Sequence, residues 1–334
     1  MFEADPNLWL QMINFPGFDA LMRFMSWMGN TWFYMPAILL LVFGVRLRAG
    51  MGVLLALILV AFATDCIKQG FGLPRPSEVD ARVLDKGREG RHLVADGAAE
   101  SFWSLPRREA IETVRASGRH EYGFVSGHTS AAVALALGLA FFFRARKAWI
   151  WGLAILWPLL MGISRMYLGR HFLADVLGGL VVGVAGVLLA VALMRCLAQP
   201  WPRARLVWGA AFAGACAAGL AAWRLPWIDP AIAGEVAGTL LCIGVLTRLG
   251  WPQENTGLAR RTLRVVCALA LGYGVTWAFG AAYDAGGWPE RHLVAFFFGM
   301  GGFATALLGA VAVARWLGLY RPPPALPVQS MEIR

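Results

Sequence analysis

The sequence predicts an all-α polytopic membrane protein. Three features point there: too little charge to cover a soluble surface, apolar runs of bilayer-spanning length, and arginines gathered just outside those runs. Of the 334 residues, 58% are hydrophobic and 15% are charged. A soluble domain of this size needs more charge, so the solvent must be largely lipid. The formal charge of +10 sits mostly on arginines next to apolar runs, which is the pattern of topology signals rather than of a nucleic-acid-binding face. No cleavable signal is expected, because residues 1–31 lack a basic start and a small-residue cleavage site. The five cysteines (Cys66, Cys196, Cys216, Cys242, Cys267) lie in or beside apolar runs without a CxxC partner. They read as small buried hydrophobes rather than a disulfide framework.

Residues 1–30 are rich in Trp, Phe and Met with sparse charges (Asp19, Arg23), and read as an amphipathic segment at the membrane interface. Spans follow at about 31–45, 51–67, 126–143, 148–164, 172–194, 207–222, 228–246, 265–283 and 293–317, roughly nine in all. Between the second and third lies a long charged stretch, 72–122, within which Pro106 and the residues after it suggest a short surface helix. The tail, 321–334, opens with Arg321-Pro-Pro-Pro and is expected to be disordered.

Arginine placement orients the chain. The breaks carrying Arg46/Arg48, Arg144/Arg146/Lys147, Arg195/Arg203/Arg205 and Arg248/Arg260/Arg261/Arg264 fall on one side of this span count. The positive-inside rule makes that side cytoplasmic. The N-terminus, the 72–122 loop, the loop after Ser164 and the loop around Asp284 then face outward.

Three polar clusters sit on the outward side, each at a span end: Lys68-x6-Arg75-Pro76, Ser126-Gly127-His128, and Ser164-Arg165-x5-His171-x3-Asp175. Cations beside a bilayer are costly unless paired or functional. Lys68, Arg75 and Arg165 together suit a dianionic phosphate, whose oxygens match guanidinium forks. Ser126 is placed to cap a helix and is also expected to bind the phosphate, with outward backbone N–H groups at Gly127 as a cradle that glycine lets an oxyanion approach. His171 and Asp175 share a helical face, so the carboxylate can orient the imidazole and leave its other nitrogen as a nucleophile for phosphorus. His128, from another helix, can protonate the leaving alkoxide and then activate water, while the cations neutralise charge on the equatorial oxygens.

This order of motifs resembles the signature of the type 2 phosphatidic acid phosphatase superfamily, which also includes glucose-6-phosphatase and the vanadium haloperoxidases. The resemblance covers about residues 30–195 and carries ten matching positions. It implies a six-helix core with the mechanism above and no metal or other cofactor, followed here by about four additional transmembrane helices in 201–320. The text around the motifs (Asp65-x2-Lys68, Pro74-Arg75-Pro76-Ser77, Glu121-Tyr122-Gly123) is more similar to the sphingosine-phosphate and polyprenyl-diphosphate phosphatase branches. One departure stands out: the family has Pro before Ser-Gly-His, and here it is Val125. Losing the stiff Pro is expected to loosen the cradle without removing a catalytic group.

The resemblance implies an integral membrane phosphatase of a lipid phosphate or diphosphate, with undecaprenyl diphosphate as first substrate, in a cell (inner) membrane with the site facing the periplasm. Substrate would enter sideways from the bilayer. Phosphoryl transfer to another lipid through the same phosphohistidine, and a lipid transporter that retains the phosphate site, are the alternatives. The extra helices and the intramembrane Glu235 motivate the second, and those helices also offer a homodimer surface. His92 and His120 read as solvated loop histidines. Arg291-His292 echoes Arg170-His171, but Phe296 stands where the acid would be, so no second site is expected.

Overall fold

The computed structural model describes residues 1–86, 92–118, 121–197, 201–254, 257–288 and 291–321, with only the backbone of 201–204. The expected disorder of the tail beyond Arg321, the reading of His120 and the side chain of Arg203 lie outside the described residues.

The chain opens with α1 (Asp5–Met12) and α2 (Pro16–Trp27), both with Pro in the first turn, where the missing N–H costs nothing. α2 is amphipathic: Met22 and Met25 are buried, while Leu21, Phe24 and Trp27 are exposed. α3 (Thr31–Leu39) runs on into a π-helical turn (Leu40–Val45), and α2 and α3 with its extension form an apolar pair bent by 57°. α4 (Leu47–Phe71) is the central helix, buried along most of its first four turns. The 72–122 stretch contains α5 (Pro76–Val79) and α6 (Arg108–Ala116), and α6 answers to the surface helix expected after Pro106. Val79, Val83, Ala110 and Val114 close a small apolar cluster with Phe2 and Phe172, so these parts of the loop are folded onto the bundle by a core of their own.

Then come α7 (Gly127–Phe142), α8 (Ala148–Tyr167) and α9 (Leu173–Cys196). α4, α7 and α9 pack on one another, α8 leans on α7, and α2 lies against α8. Small residues permit the close approach: a Cβ on Gly179 would meet the Ser126 carbonyl at 2.7 Å, and one on Gly183 the Ser130 carbonyl at 2.8 Å. Such contacts drive helix association where lipid supplies no hydrophobic gain.

A second group is α10 (Trp201–Ala221), α11 (Pro230–Leu249), α12 (Leu258–Ala285) and α13 (Arg291–Trp316). α11 is started by Asp229, whose carboxylate accepts from the Ala231 and Ile232 amides. α11 packs on α13 and also on α4, which joins the two groups.

All nine stretches expected to span lie on these helices. Among the described residues, α4, α8, α9, α11, α12 and α13 are long and apolar enough to cross a membrane. The bent pair would add a seventh span, and α7 and α10 are apolar but shorter. The chain is therefore the all-α polytopic membrane protein its composition predicts.

The α11–α13 seam is tight, since a Cβ on Gly234 would lie 2.1 Å from the Phe296 carbonyl oxygen. Gly234→Val is expected to cost about 1–3 kcal/mol by overpacking, read as a lower midpoint of thermal unfolding in detergent. Gly209→Ala, with nothing within 4 Å of its Cβ, should leave the midpoint unchanged or slightly raised. Equal midpoints for Gly234→Val and the parent would refute the seam.

Candidate functional site

Each cluster sits at a helix end, and the helix ends meet. α4 stops at Gly72, which takes the left-handed φ of 55° and donates its N–H to the Lys68 carbonyl. That places Lys68 in the last turn, with Nζ donating to the Tyr122 carbonyl at 3.1 Å. Arg75 caps α5, its backbone N–H held by Glu78 Oε2 at 2.9 Å, and its guanidinium pairs with Glu121 at 3.0 Å. Ser126 caps α7: its hydroxyl oxygen accepts from the Thr129 N–H and from the Thr129 hydroxyl. His128 stands in the first turn, packed so closely on Gly29 that a Cβ there would fall 2.2 Å from the imidazole Cδ2. Arg165, in the last turn of α8, donates to Ser26 Oγ at 2.5 Å.

His171 precedes α9 and is buried, as is Asp175 in the first turn. His171 Nδ1 lies 3.3 Å from Asp175 Oδ2, which also accepts the Phe172 N–H at 2.9 Å. The Asp175 carbonyl accepts the Ser126 N–H at 2.8 Å, so the start of α9 is tied to the start of α7. Burial, then the charges of Lys68, Arg165 and Arg75, hold the His171 imidazole well below the ordinary histidine range. The ring is therefore neutral at pH 7, with a lone pair available on the nitrogen that faces away from Asp175.

Six of the eight residues expected from sequence (Lys68, Arg75, Gly127, His128, Arg165, His171) line one cavity of about 320 Å³. Ser126 and Asp175 stand behind it as helix cap and imidazole partner. The cavity wall also includes Ser26, Asn30, Glu121 and Arg170, which the motif reading did not assign. Arg170 is buried against Asp85 at 3.3 Å. Asn7 is fully buried under the site, its amide donating to the Met166 and His171 carbonyls at 2.8 and 2.9 Å. The N-terminal segment, expected only to lie at the interface, thus also braces the site. Nothing local in the sequence signals this, because the partners lie more than 130 residues away.

Val125 is packed where the α7 entry meets α9. Its side chain is 1% exposed, and the Ser126 amide is anchored on α9 as described. His92 is exposed, as a solvated loop histidine should be. His292 faces a different cavity, of about 800 Å³, together with Asp65, Asp229 and Glu235. Phe296 packs against Gly219 and Gly234 and supplies no acid. Among the described residues no group of three or more His, Cys, Asp or Glu is placed to hold a metal ion. The candidate site is instead rich in cations. Such an arrangement can bind a phosphate dianion, present a neutral imidazole to phosphorus and offer a second imidazole to a leaving oxygen.

Comparison with known proteins leads to the same residues. A family model described as PAP2 superfamily matches residues 49–199, which contain all three motif clusters. A lipid A 4'-phosphatase of Porphyromonas gingivalis is 37% identical over 76 residues, 22% of this chain and 30% of that protein. The undecaprenyl-diphosphatase BcrC of Bacillus subtilis is 42% identical over 81 residues, 24% of this chain and 40% of that protein. The chain thus matches less than half the length of either curated relative. The crystal structure of Aquifex aeolicus LpxE is similar with a TM-score of 0.40 and 20% identity, covering 56% of this chain and 92% of that one. With its motifs in order and the family match spanning them, the segment 49–199 is similar to the PAP2 superfamily.

Proposed function

We propose that this protein is a multi-pass membrane phosphatase that hydrolyses a lipid phosphate or diphosphate through a phosphohistidine on His171, without a metal ion. The observation that carries this reading is the cavity itself: Lys68, Arg75, Arg165 and Arg170 surround two imidazoles, one of them backed by a buried carboxylate. In the first step, His171 Nε2 bonds to phosphorus as the ester or anhydride P–O bond breaks. His128 gives its proton to the departing oxygen. Asp175 accepts from Nδ1–H and stabilises the positive ring. In the second step, His128 takes a proton from water, whose oxygen attacks phosphorus and releases His171 and inorganic phosphate. The four cations hold the equatorial oxygens throughout.

A lipid substrate follows from the site's place at the end of a bundle whose outer surface is apolar. The names of the two relatives, one acting on lipid A and one on undecaprenyl diphosphate, support that class, and undecaprenyl diphosphate is the first candidate. The arginine-bearing breaks at the other ends of α4, α7 and α9 support an inner membrane with the site facing the periplasm.

Phosphate release from a panel of lipid phosphates, measured in detergent with excess chelator, tests the proposal. The parent should be active with chelator present, and His171→Ala should lose more than about 10³-fold in kcat. Asp175→Asn should lose about 10²- to 10⁴-fold. No release from any lipid would overturn hydrolysis, and a phosphorylated lipid acceptor in place of free phosphate would redirect it to transfer.

Asn7→Ala should lower kcat by about 10- to 100-fold with a smaller change in KM, because it frees the His171 backbone. An unchanged kcat with only a lower melting midpoint would confine Asn7 to stability. Histidine-labelled protein gives a further check by NMR, with His171→Gln for assignment. A depressed pKa keeps the ring neutral until pH falls below the ordinary value. The His171 resonance should therefore still report neutral imidazole at pH 6.5, where an ordinary histidine is half charged. A midpoint at or above 6.5 would contradict the burial argument.

A further inference from the structure

At the opposite ends of the catalytic helices the structure holds a second cationic cavity. It has a volume of about 500 Å³, and its wall includes Arg46, Arg48, Arg144 and Arg195. These arginines come from three separate chain breaks: Arg46 and Arg48 at the start of α4, Arg144 just after α7, and Arg195 in the last turn of α9. The rest of the wall is mainly Phe141, Phe142, Val191 and Met194. Arg48 and Lys68 are 20 residues apart on one helix, which at 1.5 Å per residue puts this cavity about 30 Å from the candidate active site. That is the thickness of a bilayer's hydrocarbon core, so the two cavities open toward different leaflets.

Topology alone explains why arginines sit at these helix ends, and helix dipoles favour one at the C-terminal end of α7 and of α9. Neither reason requires four to share one cavity, where like charges repel. No carboxylate lines it, and among the described residues none of the four forms an ion pair. Arg48 has instead the face of Trp251 at 5.9 Å. The nearby Glu254 carboxylate accepts the Leu47 N–H at the start of α4. Ala49, in the first turn of α4, is also part of the wall, so the positive end of that helix adds to the field. Arg144 takes the left-handed φ of 55°, a conformation unfavourable for a residue with a side chain. That backbone puts an arginine, rather than the more tolerant glycine, at the cavity wall.

We propose that this cavity binds the phosphate headgroup of an anionic lipid, such as phosphatidylglycerol, in the leaflet opposite the catalytic site. The guanidinium groups take the phosphate oxygens, and the Phe141, Phe142, Val191 and Met194 wall meets the glycerol and upper acyl chains. A free phosphate would use the arginines and leave that apolar wall unused.

The test is thermal stabilisation of the full chain in detergent, titrated with phosphatidylglycerol, phosphatidylcholine or inorganic phosphate. Two variants remove equal charge: Arg144→Gln with Arg195→Gln inside the cavity, and Arg146→Gln with Lys147→Gln outside it. Phosphatidylglycerol should stabilise the parent more than phosphatidylcholine does. The cavity variant should need about tenfold more phosphatidylglycerol for the same effect, and the outside variant should match the parent. Arg48→Gln, tested alone, should weaken the response in the same direction if the double variant folds poorly. Equal weakening by the inside and outside pairs would reduce the effect to general surface charge. No preference for phosphatidylglycerol would overturn the site, and stabilisation by inorganic phosphate at matching concentration would overturn its assignment to a lipid.

Discussion

A phosphate dianion is about 3 Å across, yet the groups proposed to hold it come from four helix ends and a loop separated by up to 100 residues of chain. The contact that most directly brings them together is a backbone hydrogen bond, from the Ser126 N–H to the Asp175 carbonyl at 2.8 Å. It fixes the first turn of α7, which carries His128, against the first turn of α9, which follows His171. Gly179 lets the two helices approach at that point, with the Ser126 carbonyl where a Cβ would sit. The tie is made by main chain, next to a Val125 that is itself buried. The Ser126 hydroxyl oxygen accepts in the helix cap and so orders the turn that presents Gly127 and His128.

Charge is distributed along the bundle with the same economy. Between its two ends α4 carries only Asp65 in addition to Arg48 and Lys68, and its first four turns are packed against neighbours. The cations are confined to the helix ends, where each cavity lets them face a polar ligand rather than hydrocarbon. At the catalytic end the opposing negative groups are few and placed to the side: Glu121 on Arg75, and Asp85 on Arg170. Each holds a guanidinium in position without filling the cavity. Asp175 is the exception, since it lies directly behind His171, the proposed nucleophile. One oxygen receives the Phe172 amide as well as the His171 ring, which leaves the carboxylate little freedom to turn toward the cations.

The helices and the motif clusters were legible in the sequence because both are local. Apolar runs of bilayer length and the Ser126 cap both act locally, and the structure puts helices where they predict them. Motif spacing likewise places Lys68, Arg75, His128, Arg165 and His171, because each cluster lies at one helix end or across two consecutive ones. What could not be read was long-range. Asn7 under His171, Ser26 on Arg165 and Gly29 against His128 belong to a segment whose composition suggested only an interfacial helix. Their roles depend on α2 lying against α8, which no periodicity within either helix specifies. The folded state of the 72–122 loop was hidden for the same reason. Its core needs Phe2 from one end of the chain and Phe172 from the middle.

The four C-terminal helices make physical sense as a support for α4 before any chemistry is assigned to them. Among the described residues α4 packs on α7 and α9 and also on α11. The α11–α13 seam is built from Gly234, Gly238 and Gly299 against backbone carbonyls, a geometry that rigid helices keep and flexible ones lose. A stiff α11 against α4 holds Lys68 at a fixed depth, and a phosphate site needs that more than it needs further ligands. The same arrangement leaves Asp65, one turn from Lys68, facing the larger cavity with Asp229 and Glu235. Lys68, proposed to bind phosphate, and this acidic cavity therefore share a helix, and any shift of α11 along α4 would be felt at both.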